Sequence, residues 1–454
     1  MNTGRLLVGA LIGLAAFLLA SLAGLDREIA LTLGITALTA SWWVSEAMPI
    51  GAASLVPFAL LPLAGVIDQR QAAAALGSYV IILLMASLML SKALEKSGAH
   101  ERLALIMIGL IGTSGRRLVF AFMLTAAALS MWISNTATSL MLATMASAIL
   151  SRGGGEKLAV PLLLGIAYAA SLGGAGTLIG TTPNLIFADA YFATTGTEYS
   201  FLRWLKTGLP VVLLGIPLMA AYMTLRMGKV DVPTLPEKGA WTIAERRTLT
   251  VFAVAILLWV TRSEPFGGWS TLLGMPLAGD STVAVLAVVA MFLIPDGRDG
   301  TLLDWEAAAA IPWGLLLLFA GGICLATGFR ESGLDQLIAD QLSGIAKAPL
   351  LLMLLGLCLS VSFLTEVTSN TATANLLMPL LAAVAAGANL PPELIMIPAA
   401  ISCSCAFMLP VSTAPNAIVF SSGRLKVRQM AQTGATLNVG ISIVIVVVSW
   451  LTLS

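Results

Sequence analysis

The sequence predicts an all-α polytopic membrane protein, with about 11 transmembrane helices plus two re-entrant hairpins in two inverted-topology repeats. Three observations predict it. Of 454 residues, 58% are hydrophobic and only 10% charged, with a mean hydropathy of +0.95, whereas a soluble globular chain carries about 25% charged residues. Apolar runs of spanning length follow one another along the whole chain. The string Ser-Asn-Thr-Ala-Thr occurs at 134–138 and again at 369–373, both times in apolar surroundings.

The composition also excludes functions. A chain solvated mainly by lipid does not bind nucleic acid, and a net charge of +1 points to no class of partner. Cys324, Cys358, Cys403 and Cys405 have no metal-ligand spacing and read as small buried hydrophobes. His100 is the single histidine, so His-based metal sites and Ser-His catalysis are out. An intramembrane enzyme would need paired aspartates or a His-Glu-x-x-His set, and neither exists, so the chain reads as no enzyme. The first apolar run, 6–24, lacks an Ala-x-Ala cleavage site and reads as a retained span.

A spanning helix needs about 20 predominantly apolar residues. In order, the candidates are 5–24, 29–47, 51–67, 76–95, 159–190, 208–227, 246–262, 281–295, 306–328, 392–420 and 432–453. The stretches 118–150 and 349–385 are too long for one span, and each is interrupted near its centre by the Ser-Asn-Thr cluster. Each fits a re-entrant hairpin, whose non-helical backbone is tolerated at membrane depth only where protein or a water-filled cavity satisfies it. With a cytoplasmic N-terminus and an external C-terminus, this layout puts 17 Lys and Arg inside and 7 outside, as the positive-inside rule asks. The chain therefore divides into a first span (1–28), repeat 1 (29–228), a Gly/Pro-containing cytoplasmic linker (229–245) and repeat 2 (246–454).

The repeat rests on three landmarks in register. Ser97-Gly98 answers Ser332-Gly333 and Ser134-Asn135-Thr136 answers Ser369-Asn370-Thr371, both at an offset of 235. Gly180-Thr181-Thr182-Pro183-Asn184 answers Ser412-Thr413-Ala414-Pro415-Asn416 at 232. Five spans and one hairpin per unit make the second copy inverted. Proline removes a backbone donor and disfavours helix at the residue before it, so spans 159–190 and 392–420 should unwind midway. Broken helices in inverted repeats point to secondary transporters. After the second Ser-Gly pair, Leu334, Leu337, Ile338, Leu342 and Ile345 keep helical spacing while Asp335, Gln336, Asp340 and Gln341 face away. That pattern is an amphipathic helix lying in the interface. Glu101 to Gly112 is a less regular counterpart.

Asn, Ser and Thr oxygens, with carbonyls freed by an unwound helix, make a cage for a hard monovalent cation. Asn N–H groups, Thr hydroxyls and half-helix N-termini suit an anion. Two facing clusters suit a ligand with an anionic group at each end. Neither cluster holds Lys, Arg or His, so co-bound cations must supply the positive charge, which favours symport. The ligand-type residues do not titrate near neutral pH, which favours sodium over protons and argues against a sodium/proton antiporter. Polar side chains can also simply hydrogen-bond helices together, but that leaves the register of the repeat unexplained. Glu366, an acid beside the second cluster, is either functional or a structural hydrogen-bond partner of nearby backbone. Glu46, near a span end, reads as structural, and Trp42 and Trp43 as interface anchors.

Ser130-Met-Trp-Ile-Ser134-Asn135-Thr136, Thr365-Glu-Val-Thr-Ser369-Asn370-Thr371, Gly180-Thr181-Thr182-Pro183-Asn184 and Thr413-Ala414-Pro415-Asn416 closely resemble the divalent anion:sodium symporter family. The resemblance covers essentially the whole chain, including Trp-Val-Ser-Glu-Ala-Met-Pro and both Ser-Gly landmarks. It implies a homodimer in a bacterial inner membrane, working as an elevator in which a transport domain slides against a scaffold, with the amphipathic segments as arms. It implies one sodium site from Ser130, Ser134, Asn135 and the Gly180 carbonyl, and a second from Thr365, Ser369, Asn370 and the Ser412 carbonyl. It places substrate carboxylates on Asn135, Thr136, Asn370, Thr371, Thr413 and Ala414. Close relatives often have proline where this chain has Ala414. Two complete Ser-Asn-Thr copies favour a C4-dicarboxylate such as succinate, fumarate or malate, with citrate and sulfate carried by related proteins on the same framework. An arsenite permease of similar architecture is the further transport alternative.

Overall fold

The computed structural model describes residues 3–112, 115–152, 155–225, 227, 239–264, 267–342 and 349–453. Its regular structure is helical, apart from a single bridge between Pro295 and Thr301. α1 (Thr3–Leu22) and α2 (Arg27–Ser45) pack closely, because Gly13 and Gly34 let each backbone approach the other helix. The stretch 51–67 is two short helices, α3 (Ile50–Ala53) and α4 (Val56–Leu63), rather than one span. α5 (Gln69–Leu76) starts at a capping box between Asp68 and Gln71, and α6 (Tyr79–Ser97) follows it after Gly77-Ser78. Gly98 and Gly333 take the left-handed conformation, at φ 72° and 76°. A side chain resists that backbone. The two glycines turn α6 into α7 (Ala99–Ile111) and α17 (Trp313–Ser332) into α18 (Leu334–Leu342).

α8 (Gly115–Ser130) and α9 (Asn135–Arg152) form a helix pair joined by the turn 131–134. α10 (Gly155–Gly174) and α11 (Thr182–Thr195) cover 159–190 and run past both its ends, separated by seven non-helical residues, 175–181, and α12 (Phe201–Thr224) follows. The second half runs through α13 (Ile243–Val260), α14 (Gly268–Leu272), α15 (Asp280–Leu293), α16 (Trp305–Ala309), α17 and α18. It continues with α19 (Leu350–Leu364), α20 (Asn370–Gly387), α21 (Pro392–Cys403), α22 (Ala414–Phe420) and α23 (Val427–Leu453). Among the described residues, seven helices are long and apolar enough to cross a membrane: Thr3–Leu22, Gln69–Ser97, Lys157–Gly174, Phe201–Thr224, Trp313–Ser332, Asn370–Gly387 and Val427–Leu453.

The core gathers around α10, whose residues are buried almost without exception from Leu158 to Gly174, and around α21. α8, α12, α22 and α23 pack about them. Outer leucines such as Leu7, Leu11, Leu286 and Leu451 point away from the protein, as lipid-facing positions do. All four cysteines are buried. On α7, buried Arg102 donates to the Gly239 and Ala240 carbonyls, both at 2.8 Å, and pairs with Glu245 at 2.8 Å. Its guanidinium also lies 4.8 Å from the centre of the Trp241 ring. Arg226, Lys347, Ile345, residues 229–238 of the linker and the side chains of Asp340, Gln341 and Leu342 lie outside the described residues.

Candidate functional site

In the first cluster, Ser130 closes α8 and Asn135 opens α9. Ser130 Oγ donates to Asn135 Oδ1 at 2.6 Å, and Ser134 Oγ accepts from the Ala137 N–H at 3.2 Å. A Cβ on Gly174 would sit 3.0 Å from both Asn135 Oδ1 and the Gly180 carbonyl, so the start of α9 touches the break between α10 and α11. The break is held by Asn184, whose Nδ2 donates to the Gly174 carbonyl at 3.1 Å and the Thr177 carbonyl at 2.7 Å. Thr177 Oγ1 donates to the Met131 carbonyl at 2.5 Å. Pro183 falls in the first turn of α11, where an N–H would lack an intrahelical partner anyway.

The second cluster repeats these bonds. Thr365 Oγ1 donates to Asn370 Oδ1 at 2.6 Å and lies 3.0 Å from the Cys403 carbonyl. Asn416 Nδ2 donates to the Ala406 and Leu409 carbonyls, both at 3.0 Å, and Thr413 Oγ1 accepts the Asn416 N–H at 3.3 Å. The copies differ where Met131 is answered by Glu366. Glu366 is buried, and its Oε1 accepts the Phe407 N–H (2.7 Å), the Met408 N–H (2.9 Å) and Asn438 Nδ2 (2.8 Å). Its Oε2 accepts the Leu409 N–H (3.1 Å) and Ser412 Oγ (2.6 Å). Of the two readings left open by the sequence, this geometry is the structural one: the carboxylate shapes the unwound segment 404–413.

Both clusters line one cavity of about 520 Å³. Asn135 and Thr136 enter it from α9, Ser369, Asn370 and Thr371 from α20 and its cap, and Ser412, Thr413 and Ala414 from the second break. Thr182 Oγ1 and Thr371 Oγ1 are 2.7 Å apart, joining the first break to the second cluster. Ser130 and Thr365 are fully buried, each bonded to the asparagine of its cluster. Ser134 and Gly180 line an adjoining cavity of about 420 Å³, which shares Asn135, Thr136 and Thr182 with the first.

Sequence reasoning gave no site role to several residues of the larger wall, among them Trp43, Glu46, Ser171, Thr182 and Thr368. Trp43 is no interface anchor. It is 1% exposed and its Nε1 donates to Ser54 Oγ at 3.0 Å, because the end of α2 leans on the short helices that follow it rather than on lipid. Trp42 is half-buried, donating to the Leu6 carbonyl at 3.2 Å. Glu46 caps α2 in the left-handed region, at φ 49° and ψ 44°, with an exposed side chain. Thr182 had a signal in the Thr-Thr-Pro-Asn motif. Ser171, 2% exposed and with no hydrogen-bond partner for its Oγ, had none beyond being a serine in an apolar run. Among the described residues, the wall carries two carboxylates, Glu46 and Glu366, and no basic residue.

Comparisons with known proteins agree in kind. The family model described as citrate transporter, CitMHS, matches residues 40–395. The sodium-dependent dicarboxylate transporter SdcS of Staphylococcus saprophyticus is 37% identical, over 98% of this chain and 91% of its own length. SdcS of Staphylococcus aureus strain MRSA252 is 36% identical over the same shares. Two solved structures share the fold. The Alcanivorax borkumensis YdaH transporter has a TM-score of 0.60 at 15% identity, covering 84% of this chain and 86% of that one. Neisseria gonorrhoeae MtrF has a TM-score of 0.59 at 12% identity, covering 90% and 96%.

Proposed function

Since the chain belongs to the citrate transporter family, we propose that it is a sodium-coupled symporter that imports C4-dicarboxylates such as succinate, fumarate and malate. It is a membrane transporter and not an enzyme. The observation that carries the proposal is the wall of the larger cavity, where Asn and Thr from both clusters face a space lined by two carboxylates and no base. An anion with two carboxylates fits such a space only with cations beside it. The neutral oxygens of Ser130, Ser134, Asn135 and Gly180, and of Thr365, Ser369, Asn370 and Ser412, are the ligands a sodium ion takes. Asn135, Thr136, Asn370, Thr371, Thr413 and Ala414 then hold the substrate carboxylates. Each net positive charge that enters gains about 2.3 kcal/mol per 100 mV, so several sodium ions per dianion would concentrate substrate. The names of the relatives, sodium-dependent dicarboxylate transporters, support the same reading.

The proposal includes elevator movement in a homodimer of the bacterial inner membrane, with the helices of the two clusters sliding against the rest. Support comes from the glycine-turned arms α7 and α18 that lead into the two cluster units. Re-entrant hairpins in inverted repeats belong to the same proposal. Their support is the recurrence of one set of hydrogen bonds at offsets of 235 and 232.

Uptake of labelled succinate by purified protein in liposomes tests the function, with and without an inward sodium gradient, and with citrate and sulfate as competitors. Sodium-driven uptake of succinate, weakly inhibited by citrate, is expected. Uptake indifferent to sodium overturns the coupling, and preference for citrate overturns the substrate. Asn135→Ala and Asn370→Ala are each expected to abolish sodium-driven uptake while thermal unfolding stays near wild type.

A further inference from the structure

The smaller cavity holds a group that the central one lacks. Lys92 lines it from α6, together with Ser87, Ser91 and Glu95, and Ser134, Asn135, Thr136 and Thr182 line the same cavity. We propose that Lys92, with Ser87 and Ser91, forms an outer anion subsite that the dianion occupies between the central cavity and the compartment facing the C-terminal end of α6. The inference rests on the transport reading and adds a residue to it.

Four observations support the subsite. Residues 87, 91 and 95 recur at helical spacing, with 88 and 92 beside them, so one face of α6 presents this group. The Lys92 and Glu95 side chains are 32% and 23% exposed and 2.7 Å apart. In such a partly dry space a charge acts more strongly than in bulk water. Ser87 is 6% exposed, and its Oγ has no hydrogen-bond partner, leaving a hydroxyl free to donate to a ligand in the cavity it lines. Asn135, Thr136 and Thr182 line both cavities, so an anion that leaves the central wall on this side meets Lys92 next.

Glu95 sets the strength of the subsite. While no substrate is present it holds the ammonium, and an arriving carboxylate takes its place as the partner of Lys92. One ion pair is exchanged for another, so the anion is attracted without being trapped, as a passage site requires. The central site, which has no base, depends on sodium, whereas the outer subsite does not.

The test is succinate uptake by purified protein in liposomes, at a fixed sodium gradient, in about 20 and about 300 mM choline chloride, either side of strong screening. In wild type the succinate KM should rise with salt. Lys92→Met should raise KM roughly tenfold at low salt, remove the salt dependence and leave the sodium dependence intact, while Lys92→Arg keeps wild-type behaviour. Glu95→Gln, which frees the ammonium, should lower KM and slow turnover. That variant needs no loss of Lys92, so it keeps the test open if Lys92→Met fails to fold. Wild-type KM and salt response in either Lys92→Met or Glu95→Gln overturns the subsite. Absence of sodium-driven uptake in wild type overturns the transport reading instead.

Discussion

Glu366→Gln keeps the shape of a buried side chain and removes its charge. The carboxylate accepts five hydrogen bonds: three backbone N–H groups of the unwound segment, the Ser412 hydroxyl and the Asn438 amide. Glutamine retains one acceptor oxygen, which serves Phe407, Met408 and Asn438. Its NH₂ then faces Leu409 and Ser412. The Ser412 hydroxyl can rotate to accept, but the Leu409 N–H cannot, and an orphaned buried donor costs about 1–3 kcal/mol. The surviving bonds fall from the charge-assisted range, about 1.5–3 kcal/mol, towards about 1 kcal/mol each. Together these losses come to about 3–5 kcal/mol, at the upper end for one substitution. Thermal unfolding of the purified protein should show a midpoint lowered by roughly 3–5 °C. Sodium-driven uptake should fall in rate while its pH profile keeps its shape. A coupling acid would give the opposite pattern, an unchanged midpoint and a flattened pH profile, and that outcome would refute the positioning role.

Further consequences follow from the matched geometry. Asn184→Ala leaves the Gly174 carbonyl and Asn416→Ala the Ala406 carbonyl without the side-chain donor, while the Thr177 and Leu409 carbonyls keep the Gly180 and Ser412 N–H groups, and each should cost about 1–3 kcal/mol. The two losses, read as unfolding midpoints, should agree closely. Ala414→Pro should fold with unchanged or slightly raised stability, by up to about 1 kcal/mol. Ala414 is the first residue of α22, and Thr413 before it already lies at φ −140° and ψ 153°, the region proline requires of its predecessor. Its effect should appear instead in the ratio of succinate to citrate inhibition, since Ala414 lines the cavity. Arg102→Ala leaves Glu245 buried without its ion pair and should cost about 3–5 kcal/mol, visible in the same unfolding assay.

Local chemistry made much of this molecule legible, and hydropathy alone misplaced some of it. The paired clusters could be read because the same hydrogen bonds need the same residues at the same spacing: a hydroxyl five residues before the asparagine, and an asparagine ten and seven residues after two carbonyls. Helix starts slipped where side-chain caps were passed over. Ser200 caps α12 at Phe201, ahead of the apolar run from 208, and the Thr242–Glu245 capping box starts α13 at Ile243 rather than 246. The role of Glu366 was beyond the sequence, since its partners are backbone donors 41–43 residues away and side chains 46 and 72 residues away. Lys92 counted only towards orientation, because nothing in the spacing of α6 shows which neighbours its polar face meets. Trp43 next to Trp42 carries the composition of an interface pair, and only the packing of α2 separates a buried wall residue from its half-buried neighbour.

The cap of α2 has a consequence for protein engineering. Glu46 occupies a left-handed position where glycine is the usual residue, and holding any side chain there costs about 1–2 kcal/mol. Directed evolution scored on heat tolerance alone would therefore enrich Glu46→Gly early, and in doing so would strip one of the two acids from the wall of the larger cavity. Heat-hardened descendants of this chain chosen without a functional score would drift towards a less acidic chamber.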